Sequence, residues 1–482
     1  MTRHVVVIMS DEHDPRVMAC AGHALAKSPH LDALAKRGVR FTDAYTPSPI
    51  CVPARAAFAT GWRVHQTRHW DNAMPYTGAP GGWGHVLQRE GIRVESIGKL
   101  HYRAEEDPAG FDREHIPMHV VGGHGMVWAS IRDPYVSSPS GQRMLGEHIG
   151  AGESSYTQYD REVAARAVDW IHDAGQRPDE PFVLYVGFVA PHFPLIAPQA
   201  FFDLYPLDCL PAPKLHPDQG YRRHPWVQAY ADFMPNDELF KSPQERLQAL
   251  AAYYGLCSFL DHHVGLIVQA LAQAGLADST TLVYTSDHGD NLGTRGLWGK
   301  STLYQESVRV PMIVAAPGLA PGVCATPVDL LDLFPTLLAA AGIDPGPEMA
   351  GRPGQSLLDI AAAPAQPDRV IFSEYHAAGS NTAAFMLRKG RWKLHHYVRF
   401  APELFDLEAD PEELHDRAAD PACAEVLQAM QAELARICDP QAVDALAKAD
   451  QRAMIERLGG PAVAATMGAG GATPVPSLQP GP

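Results

Sequence analysis

Cys51 opens the segment Cys51-Val52-Pro53-Ala54-Arg55, which reads as the mouth of a short helix. Pro53 suits a first helical turn, residues 54–59 favour helix, and Gly61 is a natural stop. A side chain at such a terminus faces backbone N–H groups and the positive end of the helix dipole, which suits an oxyanion. Arg55, one turn further in, can reach back toward the same spot. Two acidic clusters follow apolar runs elsewhere: Asp11-Glu12 after residues 5–9, and Asp287-His288-Gly289-Asp290-Asn291 after residues 281–284. Charge at the end of a buried strand is costly unless it is paired or bound to a metal. Brought together, these residues would form an oxygen-rich site for a divalent cation with one imidazole. Each feature alone has a plainer reading. An Asp at a strand-to-loop junction is often a helix cap, and a lone cysteine is usually a small core hydrophobe.

The elements that must position these groups alternate. Residues 5–9, 182–186, 281–284 and 310–314 are short apolar runs, as in strands covered on both faces. Helical patterns at 29–37, 160–174, 243–274 and 330–341 lie between them, so the chain is read as α/β, a mostly parallel sheet sandwiched by helices. Asp11 and Asp287 then share the carboxyl edge, where such sheets build their sites. From about residue 365 the pattern changes to short strands (369–372, 384–387, 392–394, 403–407), a smaller antiparallel sheet followed by helices over 422–458. The division expected is 1–365, 366–458 and a flexible Gly/Ala/Pro tail, 459–482.

Composition narrows the function. A net charge of −16 argues against a nucleic-acid partner. No apolar run approaches a membrane span, and residues 5–9 are too short for a signal peptide, so a cytoplasmic protein without a membrane partner is expected. The seven cysteines are scattered and odd in number, which speaks against a disulfide framework.

Taken with the remaining motifs, the chain resembles the type I sulfatases of the alkaline phosphatase superfamily. Cys51 to Arg55 matches their C-x-[PAS]-x-R signature, with Ala54 in place of the commoner serine. Gly98-Lys99-Leu100-His101 resembles G-K-x-H, Pro191-His192-Phe193-Pro194 resembles P-H-x-P, and Lys300 in Leu297-Trp298-Gly299-Lys300 stands where the family carries a cation. Alone, Lys99 reads as a solvated lysine and His192 as a satisfied core histidine. Tyr253-Tyr254-Gly255 with Asp261, and Asp332-Leu333-Phe334-Pro335-Thr336, match family segments taken as structural.

The resemblance implies that Cys51 is oxidised to formylglycine by a formylglycine-generating enzyme. It implies one divalent cation, calcium with manganese or magnesium as alternatives, on Asp11, Glu12, Asp287, His288 and modified Cys51; Glu12 departs from the family's usual Asp or Gln. The substrate implied is a small-molecule sulfate ester. Arg55, Lys99 and Lys300 would neutralise its oxygens, His192 or Lys300 would protonate the leaving oxygen, and His101 would take the proton that releases sulfate. A phosphonate monoester or phosphodiester hydrolase using the same site is the alternative. Trp70-Asp71-Asn72-Ala73 resembles the Y-D-N-A segment of choline sulfatases, a resemblance that implies an oxyanion-binding role for Asn72. Glu374 and Tyr375, with Trp128, would form a box for a cationic leaving group; equally, Glu374 could make an ordinary ion pair and Trp128 could be core. A tail of this kind is associated with homo-oligomers among those relatives.

Overall fold

Val5, Val7 and Met9 are buried against one layer of helices, and Val6 and Ile8 against the other, all within strand β1 (His4–Asp11). That double burial explains the unbroken apolar run. In the computed structural model, which describes residues 3–132, 144–468 and 472–477, β1 is a central strand of an eight-stranded sheet. The other strands are β2 (Val39–Phe41), β3 (Arg93–Lys99), β4 (Arg113–Met118), β5 (Phe182–Pro191), β6 (Thr280–Ser286), β7 (Met312–Ala315) and β8 (Gly322–Cys324). Their order is β8-β2-β7-β6-β1-β5-β3-β4. Only β7 runs against its neighbours; the rest are parallel.

Helices cover both faces. On one lie α1 (Pro29–Arg37), α3 (Ser155–Gly175) and α4 (Pro243–Gln273); on the other lie α2 (Cys51–Thr60) and α5 (Leu333–Ala340). Among the described residues α4 alone is long and apolar enough to cross a membrane, but 72% of its most apolar window is buried inside the protein, as in a core helix. The parallel strands bring Asp11, Lys99, Pro191 and Ser286 to one carboxyl edge, the site-forming edge of such a sheet.

A second sheet, antiparallel and in sequence order, contains β9 (Ile371–Tyr375), β10 (Ala384–Lys389), β11 (Trp392–Tyr397) and β12 (Glu403–Asp406). Helices α6 (Ala424–Ile437) and α7 (Pro440–Arg457) follow. The α/β architecture with a smaller antiparallel sheet is the one expected. Strand β3 escapes the pattern because Glu95 interrupts its apolar run. Its carboxylate accepts from Arg93, His115 and Trp170, which makes the interior position tolerable.

Of the segment expected to be a flexible tail, residues 459–468 and 472–477 are described and pack on the protein; the rest lies outside the described residues. Helix α8 (Pro461–Ala464) buries Ala464 against Ala73, Val127, Met454 and Ile455, and Ala472 and Val475 pack on the core. Small apolar side chains give this Gly/Ala/Pro segment enough surface to dock.

Candidate active site

Helix α2 starts at Cys51, and Gly61 ends it in the left-handed conformation (φ 69°), its N–H donating to Ala57 O. The mouth of the helix is less open than the sequence implies, since Asn72 Oδ1 accepts from the Val52 N–H at 3.1 Å. Cys51 Sγ lies 3.6 Å from Asp11 Oδ1 and 3.3 Å from His288 Nε2. Burial, then the nearby Asp11 carboxylate, pushes the thiol up to about 12, against the pull of Lys300. An unmodified Cys51 is therefore a protonated, weakly nucleophilic thiol.

The loops after β1 and β6 are stitched together. Glu12 N–H donates to Asp287 Oδ1 at 3.2 Å, Asp287 N–H to Ser10 O at 3.3 Å, and His13 N–H to Ser286 Oγ at 2.9 Å. Tyr253 clamps the same turn from α4: its hydroxyl donates to Glu12 O at 2.6 Å and accepts from Asp14 N–H at 2.8 Å. Glu12 holds a φ of 70°, a strained conformation for a residue with a side chain. Asp261 accepts from the N–H groups of His30 and Leu31, and Asp332 pairs with Arg369. Both segments are structural, as read from the sequence.

Donor atoms of Asp11, Cys51, Asp287 and His288 all lie within 4.8 Å of one another, and Asp11, Glu12 and His192 form a second such group. The His288 Nδ1–H donates to Gly289 O at 3.0 Å. In the neutral ring Nε2 therefore turns a lone pair toward Asp287 Oδ1 at 3.6 Å and Asp11 Oδ1 at 3.9 Å. Glu12 Oε1 is buried with no hydrogen-bond partner. Acceptors facing acceptors, with one carboxylate oxygen orphaned, are what a divalent cation would satisfy, and oxygen donors with one imidazole fit calcium, manganese or magnesium.

Three cations hold the carboxylates. Lys99 Nζ lies 2.6 Å from Asp11 Oδ2, and Lys300 Nζ donates to Glu12 Oε2 at 3.2 Å. Burial favours protonation of Asp11, but Lys99, His192, Lys300 and Arg55 outweigh it and hold the carboxyl well below its usual range. At Glu12 burial wins over Lys300 and pushes the carboxyl up to about 8.

Arg55 reaches back from α2 to the carboxylates beside Cys51. Instead of reaching into the chamber it lies wholly beneath it, Nε donating to Asp287 Oδ2 (2.8 Å) and Nη2 to Asp11 Oδ2 (3.1 Å). Nη1 donates to Tyr185 OH (2.9 Å) and Lys99 O (3.1 Å). Tyr185, on β5, was not singled out in the sequence; it looks like any aromatic in an apolar strand.

Above Cys51 opens a chamber walled by Asn72, Lys99, His101, His192 and Lys300 among the expected residues. Its other walls are chiefly apolar or aromatic, including Met126, Met144, Tyr156, Phe193, Tyr230 and Trp298, and no carboxylate lines it among the described residues. His192 Nδ1–H donates to Phe193 O at 2.6 Å, while Nε2 lies 3.5 Å from Glu12 Oε2. Burial and then Lys300 hold that ring neutral. His101 is likewise held well below its usual range, by burial and then by Lys99.

Three expected chamber residues, Glu374, Tyr375 and Trp128, are elsewhere. Glu374 is fully buried outside the walls, where it accepts from the His65 N–H (3.0 Å), the His65 ring (2.9 Å) and the His376 ring (2.8 Å). Two histidines engage the carboxylate, the arrangement of the ion-pair reading. Tyr375 donates to Ala378 O and also lies outside the walls. Trp128 stacks on Phe233 (5.8 Å between centroids, 17°) in a small cluster with Met126 and Met234, which line the chamber while Trp128 itself does not. Thr473, which the sequence reading missed, does line the chamber.

Comparison with known proteins agrees with this geometry. The Sulfatase family model matches residues 3–343, and the model "N-sulphoglucosamine sulphohydrolase, C-terminal" matches residues 293–439. A choline-sulfatase of Rhizobium meliloti is 32% identical over 429 residues, 87% of this chain and 83% of that protein. Human arylsulfatase K is 30% identical over 438 residues, covering 85% and 78%. A phosphonate monoester hydrolase from Silicibacter pomeroyi shares the fold with a TM-score of 0.72 at 24% identity, covering 90% of this chain and 94% of that one.

Proposed function

Because the chain belongs to the sulfatase family and is a sulfate-ester hydrolase by that membership, we propose that it works through a formylglycine derived from Cys51. A divalent cation, calcium first, would sit on Asp11, Asp287 and His288, with Glu12 Oε1 at hand. The observation that carries this reading is the position of Cys51 Sγ, inside the carboxylate–imidazole cluster and at the floor of the chamber. When present, the two groups supply an oxygen nucleophile at neutral pH and positive charge beside a sulfuryl oxygen.

The chain's own residues do the rest. Lys99 and Lys300 bring ammonium groups to the chamber and offset the sulfuryl oxygens as charge develops. Asn72, its Oδ1 committed to the Val52 N–H, has its amide nitrogen left to donate to an oxyanion. His192 has given its Nδ1–H to Phe193 O, so its Nε2 is an acceptor when the ring is neutral, and Lys300 is the better donor to the leaving oxygen. His101, neutral by burial, accepts the proton that releases sulfate. The apolar walls keep water from the reacting centre.

Among the described residues those walls are chiefly apolar and aromatic and carry no carboxylate, which favours an uncharged aryl or alkyl leaving group over a quaternary ammonium. The test compares hydrolysis of 4-nitrophenyl sulfate, choline sulfate and an aryl phosphonate monoester, with Cys51→Ala as control and mass spectrometry of the Cys51 peptide. Preference for the aryl sulfate, abolished in Cys51→Ala, is expected. Preference for the phosphonate would shift the reading to a phosphonate monoester or phosphodiester hydrolase. Full activity in Cys51→Ala would refute both.

A further inference from the structure

The last described stretch of the chain, residues 472–477, reaches the chamber. From α7 the chain turns through α8, Met467 O accepts from the Trp128 N–H at 3.3 Å, and Gly468 lies against Gly125. A Cβ at Gly468 would come within 2.2 Å of Gly125 O, so the two backbones touch. Beyond this, the Tyr156 hydroxyl donates to Thr473 O at 2.6 Å, and Thr473 Oγ1 lies 2.9 Å from His101 Nε2. Tyr156 and Thr473 both line the chamber.

His101 is otherwise loosely held at its ring. Its backbone is fixed, with φ 57° and its N–H donating to Met118 O at 2.8 Å, but Nδ1 is buried without a partner. Thr473 therefore makes the one ring hydrogen bond found among the described residues. A threonine hydroxyl can donate or accept, so two tautomers are conceivable. If Thr473 donates to Nε2, the Nδ1 carries a proton that is buried with no acceptor. If Nε2–H donates to Thr473 Oγ1, the unpaired group at Nδ1 is a lone pair. Buried N–H groups without an acceptor are the rarer of the two orphans.

We propose that Thr473 is a positioning residue for His101. Its hydroxyl holds the ring as the Nε2–H tautomer and leaves the Nδ1 lone pair as the proton acceptor. The inference rests on the sulfatase reading for its catalytic consequence only. In the sulfate-releasing step the proton enters at Nδ1, while Nε2 keeps its own proton on Thr473. The groups facing the ring, the Lys99, Asp11 and Arg55 charges and the neutral His192 imidazole, are left in place by substitution at Thr473.

The test has two readouts on the full-length protein, parent, Thr473→Val and Thr473→Ser. Nitrogen-15 spectra of labelled histidine, assigned through His101→Gln, report the tautomer independently of turnover. The parent and Thr473→Ser are expected to show Nε2–H, and Thr473→Val a mixture or the opposite tautomer. On 4-nitrophenyl sulfate, Thr473→Val is expected to lose about 10- to 100-fold in kcat, with KM falling alongside so that kcat/KM changes little. It should also gain a burst of nitrophenol, because only the later step slows, and Thr473→Ser should restore turnover. An Nδ1–H tautomer in the parent, or identical spectra in the parent and Thr473→Val, would overturn the inference. So would unchanged kcat in Thr473→Val. A parent with oxidised Cys51 that hydrolyses no sulfate ester would instead strike the sulfatase mechanism, with the tautomer still deciding the role of Thr473.

Discussion

Replacing Arg55 by methionine separates a residue that contacts substrate from one that holds the site together. The guanidinium donates four hydrogen bonds, two of them to the Asp11 and Asp287 carboxylates, and it is wholly buried with both. Removing one partner from a buried pair costs about 3–5 kcal/mol, because the desolvated charge left behind is uncompensated. Two charge-assisted hydrogen bonds at ~1.5–3 kcal/mol each give ~3–6 kcal/mol, which overlaps it. Methionine keeps the apolar stem, so cavity formation adds little. Urea unfolding of Arg55→Met, followed by tryptophan fluorescence in chelator, should therefore fall by about 3–5 kcal/mol relative to the parent. Calcium should recover part of that loss, since the unpaired carboxylates attract a cation more strongly. A ligand at a hundred times its Kd contributes ~2.7 kcal/mol. Arg55→Lys should fall between the two, as an ammonium cannot reproduce the planar fork. A loss below about 1 kcal/mol, the ordinary cost of a substitution, would refute this account. So would normal stability with a raised KM, the mark of an arginine that reaches substrate.

Two further outcomes follow from the second sheet. Glu374→Gln should lower stability by about 1.5–3 kcal/mol through its weakened bonds to His65 and His376. It should leave the ratio of kcat/KM for choline sulfate and 4-nitrophenyl sulfate unchanged; a selective loss on choline sulfate would restore Glu374 to the chamber. Glu403 accepts from the Tyr304 and Tyr397 hydroxyls and the His395 ring. Burial opposes its ionisation, but the His395 hydrogen bond and charge outweigh it, and the carboxyl is lowered from 4.5 to about 2. An acid with a depressed folded-state pKa contributes stability above its unfolded value and loses it as pH falls through the folded one. The stability gap between parent and Glu403→Gln should thus narrow between pH 4.5 and about 2. A gap that is constant over that window would show that Glu403 is not the ionised group.

What was legible in the sequence was chemistry anchored to strand ends and one helix mouth. Asp11, Lys99, His192 and Asp287 follow strands whose apolar runs or flanking motifs can be read locally, and parallel pairing delivers them to one edge. The contacts that the sequence did not reveal share another cause, since each depends on a partner far away in the chain. Arg55 is one turn from Cys51 and on the same helix face, which suggests a shared target. Its reach is decided instead by Asp287, 232 residues away, and by a tyrosine hydroxyl on β5. Glu374 has the composition of a cation-binding carboxylate, yet His65, 309 residues away, claims it. Thr473 is the clearest case. Averaged over the tail, Gly, Ala and Pro read as disorder, because such a segment buries too little apolar surface to offset its conformational entropy. An average is blind to single contacts. Two hydrogen bonds at Thr473 and a backbone approach that only Gly468 permits supply specificity that composition cannot register. A segment can thus look disordered by its mean and still have one residue shaped for the reacting centre.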